Sequence, residues 1–323
     1  MYSQIVGTGA YLPEKVLTNH DLEKIMETSD EWIRDRTGIE RRHIAAEGET
    51  TVDLSEHAAR RAIEAAGLKP SDVDFIAFGT TTPDFVFPNC GVLLQQRLGC
   101  LGGPAFSVET ACSGFMYALA IADKFVRAGE AKCALVVGAE TLSRITDWKD
   151  RSTAVLFADG AGALVLQPSA EPGILSTHLH ADGSYKDLLY CPGGVSQGAP
   201  PHDPMHLRRV IAMAGNEVFR LAVTNLGRAV DEALSANRLE RSALDWLVPH
   251  QANIRIIQAT ARRLSMPMER VVVTVQEHGN TSSASVPLAL DVAVRDGRIR
   301  RGQLLLLEAF GGGFTWGSAL VRY

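Results

Sequence analysis

Three residues whose types together support acyl transfer stand far apart in the sequence: Cys112, His250 and Asn280. Cys112 lies where a short extended run meets small residues and then an apolar stretch of helical character. Because the amides and the positive dipole end of a helix N-terminus stabilise a thiolate, we expect the pKa of this thiol to fall to about 7 or below. His250 can carry a proton or donate a hydrogen bond, and Asn280 is a neutral donor. The set predicts a nucleophilic thiol that works through a thioester.

Each of these residues also has a common structural use, and the sequence leaves that alternative open. A single cysteine is most often a small buried apolar side chain, an imidazole after an apolar strand is often structural, and an asparagine can cap a helix. His278 is a rival to His250 because it lies two residues before Asn280. We interpret the other cysteines as structural because they lack paired spacing: Cys90, Cys100, Cys133 and Cys191.

The elements that must position these residues occur twice in the chain. An amphipathic helix, a polar break and a buried strand around Asp74 return around Asp245, 171 residues later. In each copy a strand then enters a small-residue turn and a helix. These turns contain Cys112 and Asn280, which are 168 residues apart, so we expect them to stand in the same register. Such a duplication would bring both turns to one cleft, with His250 following the first strand of the second copy.

Alternating helices and near-continuous apolar strands predict an α/β fold with parallel-type sheets covered by helices on both faces. We place the N-terminal half, with the nucleophile, at residues 1–170, and the C-terminal half, with His250 and Asn280, at residues 171–323. Residues 171–204 lack periodicity and are rich in Gly, Pro, Ser and His, which predicts a connector between the halves. The strand before the second turn is expected at residues 271–274.

Composition narrows the class of protein. The 323 residues are 46% hydrophobic and 21% charged, an ordinary globular balance, and the net charge of −5 argues against nucleic acid as a partner. No signal peptide and no apolar run of bilayer-spanning length is visible, so we expect no membrane association. Five scattered cysteines without C-x-x-C pairs indicate neither a disulfide framework nor a zinc site, and they favour a reducing cytoplasm.

Taken in order, the motifs resemble a known family along essentially the whole chain. The chain is similar to the thiolase-like condensing enzymes, and within them to the β-ketoacyl-acyl carrier protein synthase III family. The resemblance implies two duplicated βα halves packed as a layered αβαβα double domain, and a homodimer. It rests on residues 30–39, the Cys112 turn, and residues 157–163, 213–219, 250–253, 278–282 and 310–318.

The resemblance also implies a reaction. Cys112 would take a short acyl group, such as acetyl, from acyl-coenzyme A, and malonyl-acyl carrier protein would then lose CO2 and attack the acyl-cysteine. The amides of Cys112 and Gly312 would hold the oxyanion, while neutral His250 and Asn280 would polarise the thioester carbonyl. Coenzyme A enters as a substrate, and the resemblance implies no cofactor and no metal.

The resemblance further assigns binding residues. Thr28, Trp32, Arg36 and Arg151 would bind the adenine and phosphates of coenzyme A, although a tryptophan is also common in cores and an arginine on solvated surfaces. The pantetheine tunnel would be lined by Gly215, Asn216, Ala252 and Asn253. The acyl pocket would be formed by Leu142, Phe157, Leu189, Ile211, Phe310 and, from the other subunit, Phe87. Family members vary near this pocket at residues 84–86 and 188–192, which leaves the primer open.

A basic stripe is the predicted docking surface for the acidic carrier protein. Arg255 and Arg262 lie on one face of a predicted helix with Arg263 beside them, and Arg208 and Arg209 would extend the patch. Such stripes are also common as solvated faces. Two other functions stay open: the same site acting on aromatic or medium-chain acyl groups in secondary-metabolite or quinolone synthesis, and a non-catalytic subunit that binds the carrier protein.

Overall fold

A computed structural model of the chain describes residues 1–197 and 210–323. The strands are β1 (Tyr2–Tyr11), β2 (Lys15–Thr18), β3 (Arg41–Ile44), β4 (Phe75–Gly79), β5 (Ala105–Val108), β6 (Ala134–Thr141), β7 (Asp159–Ser169), β8 (Ile174–Ala181), β9 (Leu189–Tyr190), β10 (Ala212–Met213), β11 (Trp246–Pro249), β12 (Leu304–Gly311) and β13 (Thr315–Arg322). The helices are α1 (Asn19–Leu22), α2 (Asp30–Thr37), α3 (Thr51–Ala65), α4 (Cys90–Leu98), α5 (Gly114–Ala128), α6 (Arg151–Ala154), α7 (Gly215–Ala236), α8 (Ile254–Leu264), α9 (Val275–His278) and α10 (Ser285–Arg295).

Two mixed sheets carry the fold. The first has the order β1-β7-β6-β4-β5 and the second the order β11-β12-β13-β8. The prediction of parallel-type sheets is correct only for β4 with β5 and β6 and for β11 with β12, because β7 and β13 pair antiparallel with both neighbours. In the second half only three residues separate β12 from β13, a connection too short for a parallel crossover.

Helices and sheets alternate in five layers, as predicted. The central helices α5 and α10 lie between the two sheets in one apolar core. Helices α3 and α4 cover the outer face of the first sheet, and α7 and α8 cover the outer face of the second. The αβαβα arrangement buries each sheet on both faces, which explains the near-continuous apolar strands in the sequence.

Two predicted boundaries differ from the structure. Ile174–Ala181 is not part of a connector but the edge strand β8, whose side chains are mostly half-buried, and its Ser, Thr and His content hid it. The strand expected at residues 271–274 is reduced to a single bridge between Leu247 and Val271. The second sheet therefore has one strand fewer than the first.

The register of the repeat is also different from the prediction. Ala111–Ser113 and Ser282–Ala284 form equivalent 3₁₀ turns that lead into α5 and α10, at the same spacing of 171 residues that separates Asp74 from Asp245. Their first residues both have left-handed φ values, 46° and 49°. The expectation that Asn280 matches Cys112 is therefore wrong by three residues: Ser283 occupies the equivalent position.

Candidate active site

Cys112, His250 and Asn280 line one cavity of about 390 Å³, although they come from three separate elements. Cys112 lies in the turn before α5, His250 follows the end of β11, and Asn280 follows α9. A second cavity of about 320 Å³ also reaches Cys112. Cys112 therefore lies where the two cavities meet.

The pKa of the Cys112 thiol is shifted upward, opposite in direction to the expectation of a lowered pKa. Its residue is only 8% exposed, and this burial raises the thiol pKa to about 12. The charge of Glu140 raises the pKa further, whereas a hydrogen bond with Ser282 lowers it. Desolvation is the largest contribution to this upward shift.

His250 is a buried neutral imidazole. Its amide donates to the carbonyl of Glu308 in β12 at 2.8 Å, and its Nδ1 is hydrogen-bonded to Ser285 Oγ. Burial lowers the pKa of His250 to about 3, so the ring carries no charge at neutral pH. The rival His278 lines a different cavity, with Glu40 and other residues, and does not face Cys112.

Asn280 is held on both sides of its backbone. Its amide donates to the Leu156 carbonyl and its carbonyl accepts from the Ala158 amide, both at 2.9 Å. The side-chain Oδ1 accepts from the Ser282 amide at 2.9 Å. This leaves Nδ2 as the group that can donate into the cavity.

The glycine bend after β12 lies directly against the nucleophile turn. Gly312 lines the smaller cavity together with Cys112. A Cβ on Gly311 would lie 2.8 Å from the Cys112 amide nitrogen, so only glycine allows this approach. The bend therefore packs its backbone against the backbone of the turn that carries Cys112.

The predicted coenzyme A residues fall into two groups. Trp32, Arg36, Gly215, Asn216, Ala252 and Asn253 line the larger cavity. Arg151 and Thr28 do not: Arg151 donates to the Glu27 carbonyl, and the buried Thr28 Oγ1 has no hydrogen-bond partner. The Arg36 and Arg151 guanidinium carbons lie 4.8 and 4.6 Å from the centre of the Trp32 ring, so an adenine that stacks on Trp32 must displace at least one of them.

Asn253 has a positioning role that its sequence context did not reveal. Its Oδ1 caps α8 by accepting from the Arg255 amide at 2.8 Å. Its Nδ2 donates to the Arg36 carbonyl at 2.9 Å. The side chain thus joins α8 to α2 at the mouth of the larger cavity.

The predicted acyl-pocket residues also divide. Leu142, Phe157, Leu189 and Ile211 line the smaller cavity, while Phe310 lines the larger one. Phe87 lines neither and is 83% exposed, next to the exposed Phe85 and Val86. Within one chain, Phe87 contributes nothing to the pocket.

The predicted docking helix is exposed along its basic face. Arg255 packs its guanidinium 5.5 Å from the Phe219 ring and borders the larger cavity. Arg262 is exposed, and Arg263 forms an ion pair with Asp231 at 2.9 Å that reduces its availability to a partner. Arg208 and Arg209 lie outside the described residues.

Four residues of the site were missed in the sequence. Ser282 and Gly311 belong to motifs that drew attention only to their neighbours, and Ser285 lies three residues beyond one of them. Glu140 carried a signal of its own in the sequence, since it is a charged residue at the end of the apolar strand β6. In the structure its side chain is completely buried. A buried carboxylate at a strand end is a frequent mark of a functional site.

Neither a metal centre nor a membrane span is found in the part of the chain that the structure describes. Across residues 1–197 and 210–323, no three His, Cys, Asp or Glu side chains are grouped so that they could hold a metal ion. No helix in those ranges has both the length and the apolar character needed to cross a membrane.

Comparison with known proteins gives consistent matches. Two family descriptions match, 3-oxoacyl-[acyl-carrier-protein] synthase III at residues 106–183 and its C-terminal part at residues 234–323. The beta-ketoacyl-[acyl-carrier-protein] synthase III of Thioalkalivibrio sulfidiphilus is 64% identical over 322 residues, covering 100% of this chain and 99% of the relative. The protein of the same name from Xanthomonas campestris pv. campestris is 64% identical over 323 residues, with the same coverage.

A solved structure shows the same architecture. The crystal structure of 3-oxoacyl-[acyl-carrier-protein] synthase III from Aquifex aeolicus superposes with a TM-score of 0.93. It is 46% identical and covers 99% of this chain and 100% of its own. The likeness therefore extends over both halves.

Proposed function

The chain belongs to the 3-oxoacyl-[acyl-carrier-protein] synthase III family, and from this premise we propose how its site performs the condensation. It is an acyltransferase that joins a short acyl group from acyl-coenzyme A to malonyl-acyl carrier protein with loss of CO2, and so initiates fatty-acid synthesis. The observation that carries the proposed mechanism is the common cavity of Cys112, His250 and Asn280. Each half supplies part of it, residues 1–170 the nucleophile and residues 171–323 the two donors.

In the first step the Cys112 sulfur attacks the thioester carbonyl of acyl-coenzyme A. A bond forms between the sulfur and the acyl carbon, and the bond from that carbon to the coenzyme A sulfur breaks. The Cys112 and Gly312 amides donate to the oxyanion of the tetrahedral intermediate, which is supported by the position of the Gly312 bend beside the thiol. The raised thiol pKa means that the proton must leave the sulfur as the attack occurs.

In the second step malonyl-acyl carrier protein loses CO2, and the electron pair left on carbon attacks the acyl-cysteine. His250 and Asn280 donate hydrogen bonds to the thioester oxygen on which the enolate charge develops. Ser285 sets the tautomer needed: its Oγ accepts from the Gln251 amide at 3.2 Å, so its own hydrogen is available to His250 Nδ1. The hydrogen of the neutral ring then lies on Nε2, which faces the substrate.

Coenzyme A is a substrate here, and the two steps balance without a redox cofactor. We assign its adenine and phosphates to Trp32, Arg36, Arg151 and Thr28, which is supported by the position of both guanidinium groups over the Trp32 ring. Its pantetheine arm is assigned to the lining formed by Gly215, Asn216, Ala252 and Asn253. The acyl group then points into the smaller cavity.

Two protein partners are part of the proposal. The acidic carrier protein docks on the face formed by Arg255, Arg262 and Arg263, next to the cavity mouth. A second copy of the chain covers the exposed loop and inserts Phe87 into the acyl pocket, supported by the exposure of three consecutive apolar residues. We place the enzyme in the cytoplasm, where its free cysteines stay reduced.

A donor panel tests the reaction and its primer together. Purified protein is mixed with radiolabelled acetyl, branched, medium-chain and aromatic acyl-coenzyme A, and label on the protein is measured. Malonyl-acyl carrier protein or malonyl-coenzyme A is then added as acceptor. We expect acetyl transfer to the protein and a product only with the carrier protein. Preference for a medium-chain or aromatic donor would favour the secondary-metabolite alternative, and no label on the protein would favour the non-catalytic subunit.

A further inference from the structure

A fully buried glutamine lies just after the end of β11 and has no part in the proposed mechanism. The Gln251 side chain donates from Nε2 to the carbonyls of Pro249 at 2.8 Å and Val272 at 3.0 Å. Its Oε1 accepts from the amides of Thr274 at 2.8 Å and Val275 at 3.1 Å. Because a carboxamide has two donor hydrogens and two favoured acceptor positions, every hydrogen-bonding position of this side chain is used.

The backbone that Gln251 binds has left the second sheet. The pairing of this segment with β11 is a single bridge between Leu247 and Val271, in which the Val272 amide donates to the Leu247 carbonyl at 2.9 Å. A buried backbone group without a hydrogen bond is costly. Beyond the bridge, the Gln251 side chain supplies the partners that a neighbouring strand would otherwise provide.

The segment held in this way leads directly to Asn280. The Thr274 carbonyl accepts from the His278 amide and the Val275 carbonyl accepts from the Gly279 amide, both at 3.0 Å. The same two residues therefore receive the glutamine oxygen on their amides and hold the end of α9 with their carbonyls. Since α9 has only four residues, its position depends on contacts outside the helix.

The other donor of the site, His250, does not depend on this side chain. The His250 amide is bound to the Glu308 carbonyl and its Nδ1 to Ser285 Oγ. Gln251 also contacts Ser285 Oγ, but through its backbone amide at 3.2 Å, which a side-chain substitution retains. A change of the Gln251 side chain should therefore displace Asn280 and leave His250 in place.

We propose that Gln251 is a positioning residue for decarboxylation, which fixes α9 so that the Asn280 side-chain amide reaches the thioester oxygen of malonyl-acyl carrier protein. The proposal rests on the proposed function and adds one residue to it. Cys112 and Gly312 belong to other elements, the turn before α5 and the bend after β12. Acyl transfer from coenzyme A should therefore be insensitive to the position of α9.

A matched pair of glutamine variants tests this separation of the two steps. Gln251→Met keeps the length of the side chain and removes all four hydrogen bonds. We expect it to slow CO2 release from malonyl-acyl carrier protein about 30-fold, less than complete loss of a donor, and to leave single-turnover acetylation by acetyl-coenzyme A near wild type. The control is Gln95→Met, because Gln95 is half-buried on α4 and donates to the Gly103 carbonyl at 2.7 Å. Both of its rates should stay near wild type.

A double variant tests whether the effect passes through Asn280. Asn280→Ala alone should slow CO2 release about 100-fold or more, because one donor to the enolate oxygen is lost. Addition of Gln251→Met to Asn280→Ala should change this rate by less than about twofold, since no amide is left to position. A contribution to folding alone would instead lower the rate again in the double variant.

The outcomes separate the positioning role from the function. Parallel loss of acetylation and CO2 release in Gln251→Met, a further large loss in the double variant, or unchanged rates in Gln251→Met each overturn the positioning role alone. Gln251→Asn, one carbon too short to reach both the carbonyls and the amides, replaces Gln251→Met if that variant does not fold. A wild type that transfers no acyl group and releases no CO2 overturns the proposed function itself.

Discussion

The two halves of the chain build the same backbone turn and place different side chains on it. In each half a residue with left-handed φ, Ala111 or Ser282, begins a 3₁₀ turn that leads into a central helix. The first turn carries Cys112, whereas the second carries Ser283, whose hydroxyl donates to the Gly79 carbonyl. The turn geometry is therefore not enough to make a nucleophile. What differs is the side chain and the space around it, since Cys112 lines both cavities and Ser283 neither.

The largest effect should come from removing the nucleophile. We expect Cys112→Ala to reduce acyl transfer by about 10⁴-fold or more, because Cys112 is the thiol that shares a cavity with His250 and Asn280. The same variant should still decarboxylate malonyl-acyl carrier protein, since His250 and Asn280 are intact. Label transfer from acetyl-coenzyme A and CO2 release measure the two steps. Label on the protein of this variant would mean that another residue is the nucleophile.

The two imidazoles of the second half give the next comparison. His250→Ala should slow decarboxylation about 100- to 1,000-fold by removing one donor to the enolate oxygen. His278→Ala is the matched control, because His278 is also buried and neutral, with its pKa lowered to about 4, but lines another cavity. Its decarboxylation rate should stay near wild type. Equal losses in both variants would show that imidazole burial, and not contact with substrate, accounts for the effect.

A smaller effect is expected at the docking face. Arg255→Glu should raise the KM for malonyl-acyl carrier protein by about tenfold, and less at high salt, because exposed charges are screened. Acetyl transfer from coenzyme A should be nearly unchanged. Arg263→Glu should have the weaker effect of the two, since Arg263 already pairs with Asp231. An equal loss in both steps for Arg255→Glu would rule out a docking role.

The layered fold and the family could be predicted because they depend on patterns that survive in one sequence. Apolar strands, amphipathic helices and the ordered motifs are local features, and the αβαβα arrangement follows from covering two sheets. The register of the repeat was predicted wrongly, because the 168-residue spacing of Cys112 and Asn280 was taken as equivalent to the 171-residue spacing of Asp74 and Asp245. The edge strand β8 escaped because a half-buried strand need not be apolar.

The pKa values of the site residues were harder to predict from the sequence than the identity of those residues. The Cys112 junction indicated a helix N-terminus and hence a low pKa, but the sequence does not show that the thiol is buried, which raises its pKa. The neutral state of His250 agrees with the sequence-based expectation because burial of an imidazole always favours the uncharged ring. Burial also favours the uncharged form of a cysteine, but the reactive form of a cysteine is the charged thiolate.

The smallest effect concerns the two left-handed residues themselves. Ala111→Gly should raise the free energy of unfolding by about 0.5 kcal/mol, because relief of the left-handed backbone exceeds the entropy cost of glycine. Ser282→Gly gains the same relief but loses the hydrogen bond to Glu140, about 1 kcal/mol, so it should destabilise by about 0.5 kcal/mol. The control is Arg238→Gly, an exposed residue with φ 54° outside both turns, which should behave like Ala111→Gly. Equilibrium urea unfolding measures the free energy of unfolding of all three variants. A shift of the same sign and size for Ser282→Gly and Ala111→Gly would show that the Ser282 hydroxyl contributes nothing to stability. The two turns would then differ in the residue that performs the chemistry and not in their stability.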